Sequence, residues 1–230
     1  MWRGLLFVLL IGCSQQTYDD YTGGKYLGAQ YLRDPLGEGA GIDPDPLIRF
    51  DAFDCTTFVE TSVTGGDKDK LNHIRYKDGV VDFINRNHFI ETDWLPNNSD
   101  KFENVSAKYA TTAIRTVTID KKSWFKKVYN IDTNFEKQTI DLEYIPYKNA
   151  QNIRVTEPMV VLFVNAPGRV QQRIGTDLAV RHMGILLPNG NLRHASIRQK
   201  QVVEVDFNKY VNQMMENQNK LGIMLLRILK

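Results

Sequence analysis

The chain has 230 residues, 42% hydrophobic and 24% charged, an ordinary globular composition and long enough to bury one core without staples. Its 29 Lys and Arg against 27 Asp and Glu leave the molecule near neutral, which argues against nucleic acid as a partner. Two cysteines, Cys13 and Cys55, exclude a disulfide framework, although a single bridge between them stays open at this stage.

Met1-Trp2-Arg3 precedes an apolar run over 4–12 that is too short for a permanent membrane span and has the layout of a secretory signal. Leu10-Ile11-Gly12-Cys13 resembles the bacterial lipobox, which implies cleavage before Cys13 and acylation of its thiol and new amine. On this reading residues 1–12 are a signal peptide, 13–22 a polar tether and 23–230 one domain. The protein is then expected in the bacterial cell envelope, held to a membrane by the lipid on Cys13 and facing the periplasm or the exterior.

Gly and Pro crowd residues 33–46, which marks a surface loop. Asp54 is placed to cap a helix over Cys55–Val63, and Gly65-Gly66 supplies its stop. A second helix is expected over Asp67–Tyr76 with Leu71 and Ile74 inward, followed by a Lys77-Asp78-Gly79 turn. Residues 80–111 carry no clear period. Lys121–Lys127 reads as a helix with a solvated lysine face.

The later half reads as strands: Ala113–Ile119, Ile140–Ile145, Met159–Asn165, Met183–Leu187, Leu192–Ser196, Val202–Val205 and Ile223–Ile228. One amphipathic helix interrupts them, with Phe207, Tyr210, Val211, Met214 and Met215 on a single buried face. Helices first and strands afterwards give an α+β fold, the helix that carries Cys55 packing on an antiparallel sheet.

A cysteine in the first turn of a helix meets unpaired N–H groups and the positive end of the macrodipole, which favour a thiolate. A nucleophilic cysteine also needs an imidazole to take its proton and a polar group to orient that imidazole. His182 and His194 lie on strands joined by Pro188-Asn189-Gly190-Asn191, so a hairpin makes them neighbours. Strand alternation sets a condition. A two-residue loop puts them on opposite faces, whereas a three-residue loop or a bulge puts them on the same one.

Phe53-Asp54-Cys55-Thr56-Thr57-Phe58-Val59-Glu60, Arg181-His182-Met183-Gly184-Ile185-Leu186 and Leu192-Arg193-His194-Ala195-Ser196 resemble the three catalytic segments of the NlpC-type papain-like amidohydrolases. Within that superfamily, Ile74-Arg75-Tyr76-Lys77-Asp78-Gly79 and Asn85-Arg86-Asn87-His88-Phe89 are similar to the N-acetylmuramoyl-L-alanine amidase-like family. The resemblance covers the chain from about Leu27 onward.

It implies a papain-like fold with Cys55 as nucleophile, His182 as base and His194 orienting that base. It also implies peptidoglycan or muropeptides as substrate, no metal or other cofactor, and cleavage of the amide between the lactyl group of N-acetylmuramic acid and L-Ala. By position, Tyr31 matches a tyrosine near the oxyanion, and Arg86 and His88 match polar groups that meet the substrate.

Glu157-Pro158-Met159-Val160-Val161 stands where relatives carry Gly-Asp, and 165–180 is longer and richer in Arg than expected. Two alternatives therefore stand beside the amidase. One is an endopeptidase cutting the stem peptide at D-Glu–diamino acid, and the other is a non-catalytic lipoprotein that binds muropeptides.

Overall fold

The computed structural model describes residues 19–229. The signal peptide, Cys13 and most of the tether lie outside the described residues. The tether expectation needs one correction, because residues 19–22 are helical and docked on the domain. Arg193 Nη1 donates to Asp19 Oδ1 (3.0 Å) and Thr22 Oγ1 (2.7 Å) while its Nε donates to Glu204 (2.6 Å). The segment's polarity is thus spent on a buried guanidinium rather than on water.

Two short strands, β1 (Gln30–Tyr31) and β2 (Ala52–Phe53), pair in parallel and lead into helix α1 (Cys55–Val63). The Thr57 amide donates to Asp54 Oδ1 (2.8 Å) and the Asp54 amide to Thr57 Oγ1 (3.0 Å), a capping box that fixes the helix start. Gly65 and Gly66, at φ +66° and +82°, end it in a left-handed conformation that side chains resist. Helix α2 (Lys68–Arg75) follows, capped by Asp67, with Leu71 and Ile74 buried as expected.

The stretch without clear period holds a π-type turn at Ile90–Trp94, the short helical segment Leu95–Asn97 and strand β3 (Phe102–Asn104). Strand β4 (Ala113–Ile119), helix α3 (Lys121–Tyr129) and strands β5 (Gln138–Pro146) and β6 (Met159–Asn165) come next. In α3 the solvated-face expectation fails at Lys121, which is buried on Asp93 at 2.9 Å. Helix α4 (Val170–Ile174) lies in the arginine-rich segment. The chain closes with β7 (Val180–Leu186), β8 (Asn191–Ser196), β9 (Gln201–Asp206), helix α5 (Phe207–Met215) and β10 (Lys220–Ile228).

These strands form one mostly antiparallel sheet in the order β2-β1-β9-β8-β7-β6-β10-β5-β4, with β3 paired to β10. Every residue of β6 is buried, because the sheet is covered on both faces. Val160, Leu162 and Val164 enter a core with Phe58 and Val59 of α1, Met183, Ile185 and Ala195. Met159, Val161 and Phe163 enter a second with Phe207 and Val211 of α5 and Leu192. The α5 face is one residue shorter than expected, since Met215 at the helix end is exposed. The fold is therefore α+β with a large, mostly antiparallel sheet.

Candidate active site

Cys55 is the first residue of α1, which packs on β7 and β8. Its thiol is free, and the residue is partly buried. The helical ladder starts with the Phe58 amide donating to Asp54 O, and the Thr57 amide is taken by the cap. The amides of Cys55 and Thr56 thus stand at the tip outside that ladder. The backbone of Met183 reaches the thiol as a hydrogen-bond partner, which brings the sulfur to the peptide unit that joins His182 to Met183. Among the described residues no hydrogen bond joins Cys55 to either imidazole.

The helix tip does not lower the thiol pKa as expected from the macrodipole. Burial, then the neighbouring Asp54 carboxylate, pushes it up to about 12, and the hydrogen bond from Met183 offsets only part of this. A partial charge at a helix end is weaker than desolvation combined with a full negative charge on the adjacent residue.

His182 and His194 satisfy the condition set by strand alternation. Ile185 pairs with Arg193 and Leu186 with Leu192, and the Leu187 amide donates to Asn191 O, so Pro188-Asn189-Gly190 is a three-residue connection. Gly190 takes φ +85° in it. Continuing the register sets His194 opposite Gly184, two residues from His182 and on the same face. The rings meet with His182 Nε2 and His194 Nδ1 2.9 Å apart.

Gly184 makes that meeting possible. A Cβ there would lie 2.7 Å from Arg193 O, 2.9 Å from Leu192 Cδ1 and 3.1 Å from His194 Cβ. Gly184→Ala is therefore expected to force β7 and β8 apart and to cost roughly 1–3 kcal/mol by overpacking. Urea denaturation reads the loss, and the low-field imidazole N–H resonance of the His pair should weaken or vanish. An unchanged resonance would show that the glycine is not needed.

One more device orients His182. Phe163 pairs with His182 but Val164 pairs with Val180, so Arg181 is bulged out of β7 immediately before the histidine. Glu91 holds this entry to the strand: its Oε1 accepts from the amides of Ala179 and Val180, both at 2.7 Å. Phe163 stacks on the His182 ring at 5.1 Å between centroids, and Tyr210 of α5 stands 5.1 Å from the His194 ring.

Both imidazoles are neutral at neutral pH. Burial, then the fields of His194 and Lys220, holds His182 well below the usual histidine range, and burial lowers His194 to about 4. A neutral His182 that carries its proton on Nε2 donates to His194 Nδ1 and keeps a lone pair on Nδ1. His194 then carries its own proton on Nε2, an atom that is buried with no protein partner. The arrangement supplies a desolvated thiol, an oriented proton acceptor and two helix-tip amides.

Tyr31 stands beside this centre. Its phenol pKa is raised by burial and then by the fields of Cys55 and Asp54. Arg86 and His88 are engaged within the protein, Arg86 also lying 3.5 Å from Asp34, whose amide donates to Asp54 beside the nucleophile candidate at 3.3 Å. Arg86 donates to Glu38 through Nε (2.8 Å) and Nη2 (2.7 Å) and to Asp43 (2.7 Å), clamping the 33–46 loop. The His88 ring meets Phe83 O at 2.6 Å through Nε2 and packs on Phe83, Trp124 and Phe125, with burial lowering its pKa to about 3.

Gly184 and Tyr210 escaped the sequence reading as site residues. A glycine inside a strand two residues from a candidate base is the signal that marks the first. Tyr210 was counted only as part of the buried face of α5, and no local signal distinguishes it from its aliphatic neighbours.

Residues 21–218 match the family model described as AmiA-like, N-acetylmuramoyl-L-alanine amidase-like. Among solved structures the chain is similar to a protein from Legionella pneumophila str. Philadelphia 1, with TM-score 0.83 and 22% identity over 95% of this chain and 92% of that one. It is also similar to an N-acetylmuramoyl-L-alanine amidase from Bacteroides uniformis, with TM-score 0.70 and 24% identity over 94% of this chain and 98% of that one. At such identities the likeness establishes a shared fold. No curated protein matches the sequence.

Proposed function

The chain belongs to the N-acetylmuramoyl-L-alanine amidase-like family, and on that premise we propose that it is a papain-like cysteine hydrolase acting on peptidoglycan or its muropeptide fragments. The bond cleaved is the amide between the lactyl group of N-acetylmuramic acid and L-Ala. The observation that carries this reading is the His182–His194 pair, joined at 2.9 Å across β7 and β8, with the Met183 backbone next to His182 reaching the Cys55 thiol.

Cys55 Sγ attacks the lactyl carbonyl as its proton passes to His182 Nδ1. The amides of Cys55 and Thr56 and the Tyr31 phenol donate to the oxyanion. The C–N bond breaks as His182 returns the proton to the L-Ala nitrogen, leaving a thioester on Cys55. A water then attacks the thioester while His182 takes its proton, and the same proton restores the thiol. His194 accepts from His182 Nε2 throughout and stabilises the transient imidazolium.

Supplying the mature domain with a defined muropeptide tests the bond. Mass spectrometry is expected to find the lactyl-bearing sugar with a free carboxylate together with a peptide beginning at L-Ala. Release of a peptide beginning at the diamino acid, with L-Ala–D-Glu left on the muramoyl sugar, would identify the endopeptidase instead, and recovery of intact muropeptide would identify a binding lipoprotein.

The protonation states make a second prediction. The free enzyme holds a neutral thiol and a neutral imidazole, so kcat/KM loses activity on the acid side only as His182 is protonated, below pH 6.5, and on the alkaline side only towards the thiol pKa of about 12. The profile is expected to stay flat from pH 6.5 to roughly 10. A resting thiolate–imidazolium pair would instead lose activity as the imidazolium deprotonates, by roughly pH 9. We further infer that residues 1–12 are removed and that lipid on Cys13 holds the enzyme in the cell envelope.

A further inference from the structure

The arginine-rich segment leading into the base has no part in the mechanism above. A cavity of about 680 Å³ opens beside it, lined by Arg169, Arg173, Arg181 and Asn219 among others. Arg181 also borders a cavity of about 490 Å³ that holds His182, His194 and Lys220. The bulged arginine thus forms a shared wall between the base and the cationic cavity.

Four positive groups gather there, Arg169, Arg173, Arg181 and Lys220, and none forms an ion pair among the described residues. Of the nearby carboxylates, Asp177 is spent on Arg115 through two contacts of 2.9 Å, and Glu91 accepts from the amides of Ala179 and Val180. Arg181 Nε donates to Leu178 O at 3.1 Å, which fixes the guanidinium, while its Nη2 is buried and has no partner. Burial, then the fields of Arg115 and Arg173 against those of Asp177 and Glu91, lowers the pKa of Arg181, and burial, then the field of Arg181, lowers that of Lys220. A fixed, partly desolvated fork with an orphaned donor matches a carboxylate, which accepts two parallel N–H bonds.

We propose that Arg181, with Arg173 and Arg169 at the rim and Lys220 towards the base, forms a subsite for a carboxylate of the stem peptide. The subsite selects acidic substrates over their amidated forms. This rests on the muropeptide reading and deepens it, because a cavity that shares a wall with the base is placed to receive the peptide side of the scissile bond.

The probe is a muramoyl tripeptide carrying either a free D-Glu α-carboxylate or its α-amide, titrated calorimetrically into the Cys55→Ala protein and supplied as substrate to the wild type. The free acid is expected to bind about 10- to 100-fold more tightly than the amide, the value of a charge-assisted hydrogen bond. The same ratio should appear in KM. Arg181→Gln should bring the ratio towards one, and Arg173→Gln, at an exposed position where folding is not at risk, should reduce it. Equal binding of acid and amide, or a ratio unchanged in both variants, overturns the subsite. Inorganic phosphate displacing the acidic peptide at lower concentration than succinate does would overturn the carboxylate assignment. Hydrolysis of both forms at equal KM leaves the amidase reading standing without the subsite. Selective binding of the acid without hydrolysis by the wild type leaves the subsite standing without the amidase.

Discussion

Cys55→Ala is expected to remove turnover by at least ~10³-fold while leaving the melting temperature within about 2 °C of wild type. On the proposed mechanism the sulfur is the attacking atom, and no other thiol is present among the described residues to replace it. The fold does not depend on it. Helix α1 is started by the Asp54–Thr57 capping box and seated by Phe58 and Val59, none of which the substitution touches. Alanine also suits a helix better than cysteine does. The assay is muropeptide hydrolysis followed by chromatography, with thermal unfolding as the control. Hydrolysis at the wild-type rate would contradict the nucleophile assignment. Loss of activity together with loss of fold would contradict the claim that Cys55 is chemically needed and structurally dispensable.

The second large effect is on stability. Glu60, further along α1 than Cys55, accepts from Arg75 Nη1 at 3.2 Å and from Trp94 Nε1 at 3.0 Å, and Arg75 Nη2 donates to Leu36 O at 3.0 Å. Both charged side chains are at least nine-tenths buried. Burial raises the Glu60 carboxyl to about 7, the Arg75 charge opposing that rise, while burial pulls Arg75 down and the charge of Glu60, then Tyr76, carries it up. Arg75→Met leaves a desolvated carboxyl and an orphaned carbonyl, and should cost about 3–5 kcal/mol. That corresponds to a fall in Tm of roughly 6–20 °C for a domain of this size. Adding Glu60→Gln should recover part of the loss, because the buried charge goes with it. A single variant as stable as wild type would show that the network does not secure the helix that carries Cys55.

Local grammar made much of the fold legible. Asp54 before Cys55 and Gly65-Gly66 after it bound α1 through backbone chemistry confined to a few residues. Asp67 does the same for α2, and period-two patterning located most of the large sheet. The histidine pair was legible for the same reason, since the three-residue turn alone decides whether the two rings share a face.

What escaped is what depends on distant partners. Arg86 looked available because Glu38 and Asp43, which hold it, come from a loop far earlier in the chain. His88 looked polar because its aromatic cage draws on α3. The thiol pKa was misjudged because the helix dipole is visible in a sequence and burial is not. Residues 19–22 looked like tether because Arg193, which captures them, sits on β8.

Mass spectrometry of the enzyme quenched in acid during turnover tests the central claim most directly. The peptide that contains Cys55 is predicted to carry the muramoyl group as a thioester through its lactyl carbonyl. A Cys55 peptide that stays unmodified while product accumulates, or one acylated through the D-Glu carbonyl of muramoyl-L-Ala-D-Glu, would contradict it.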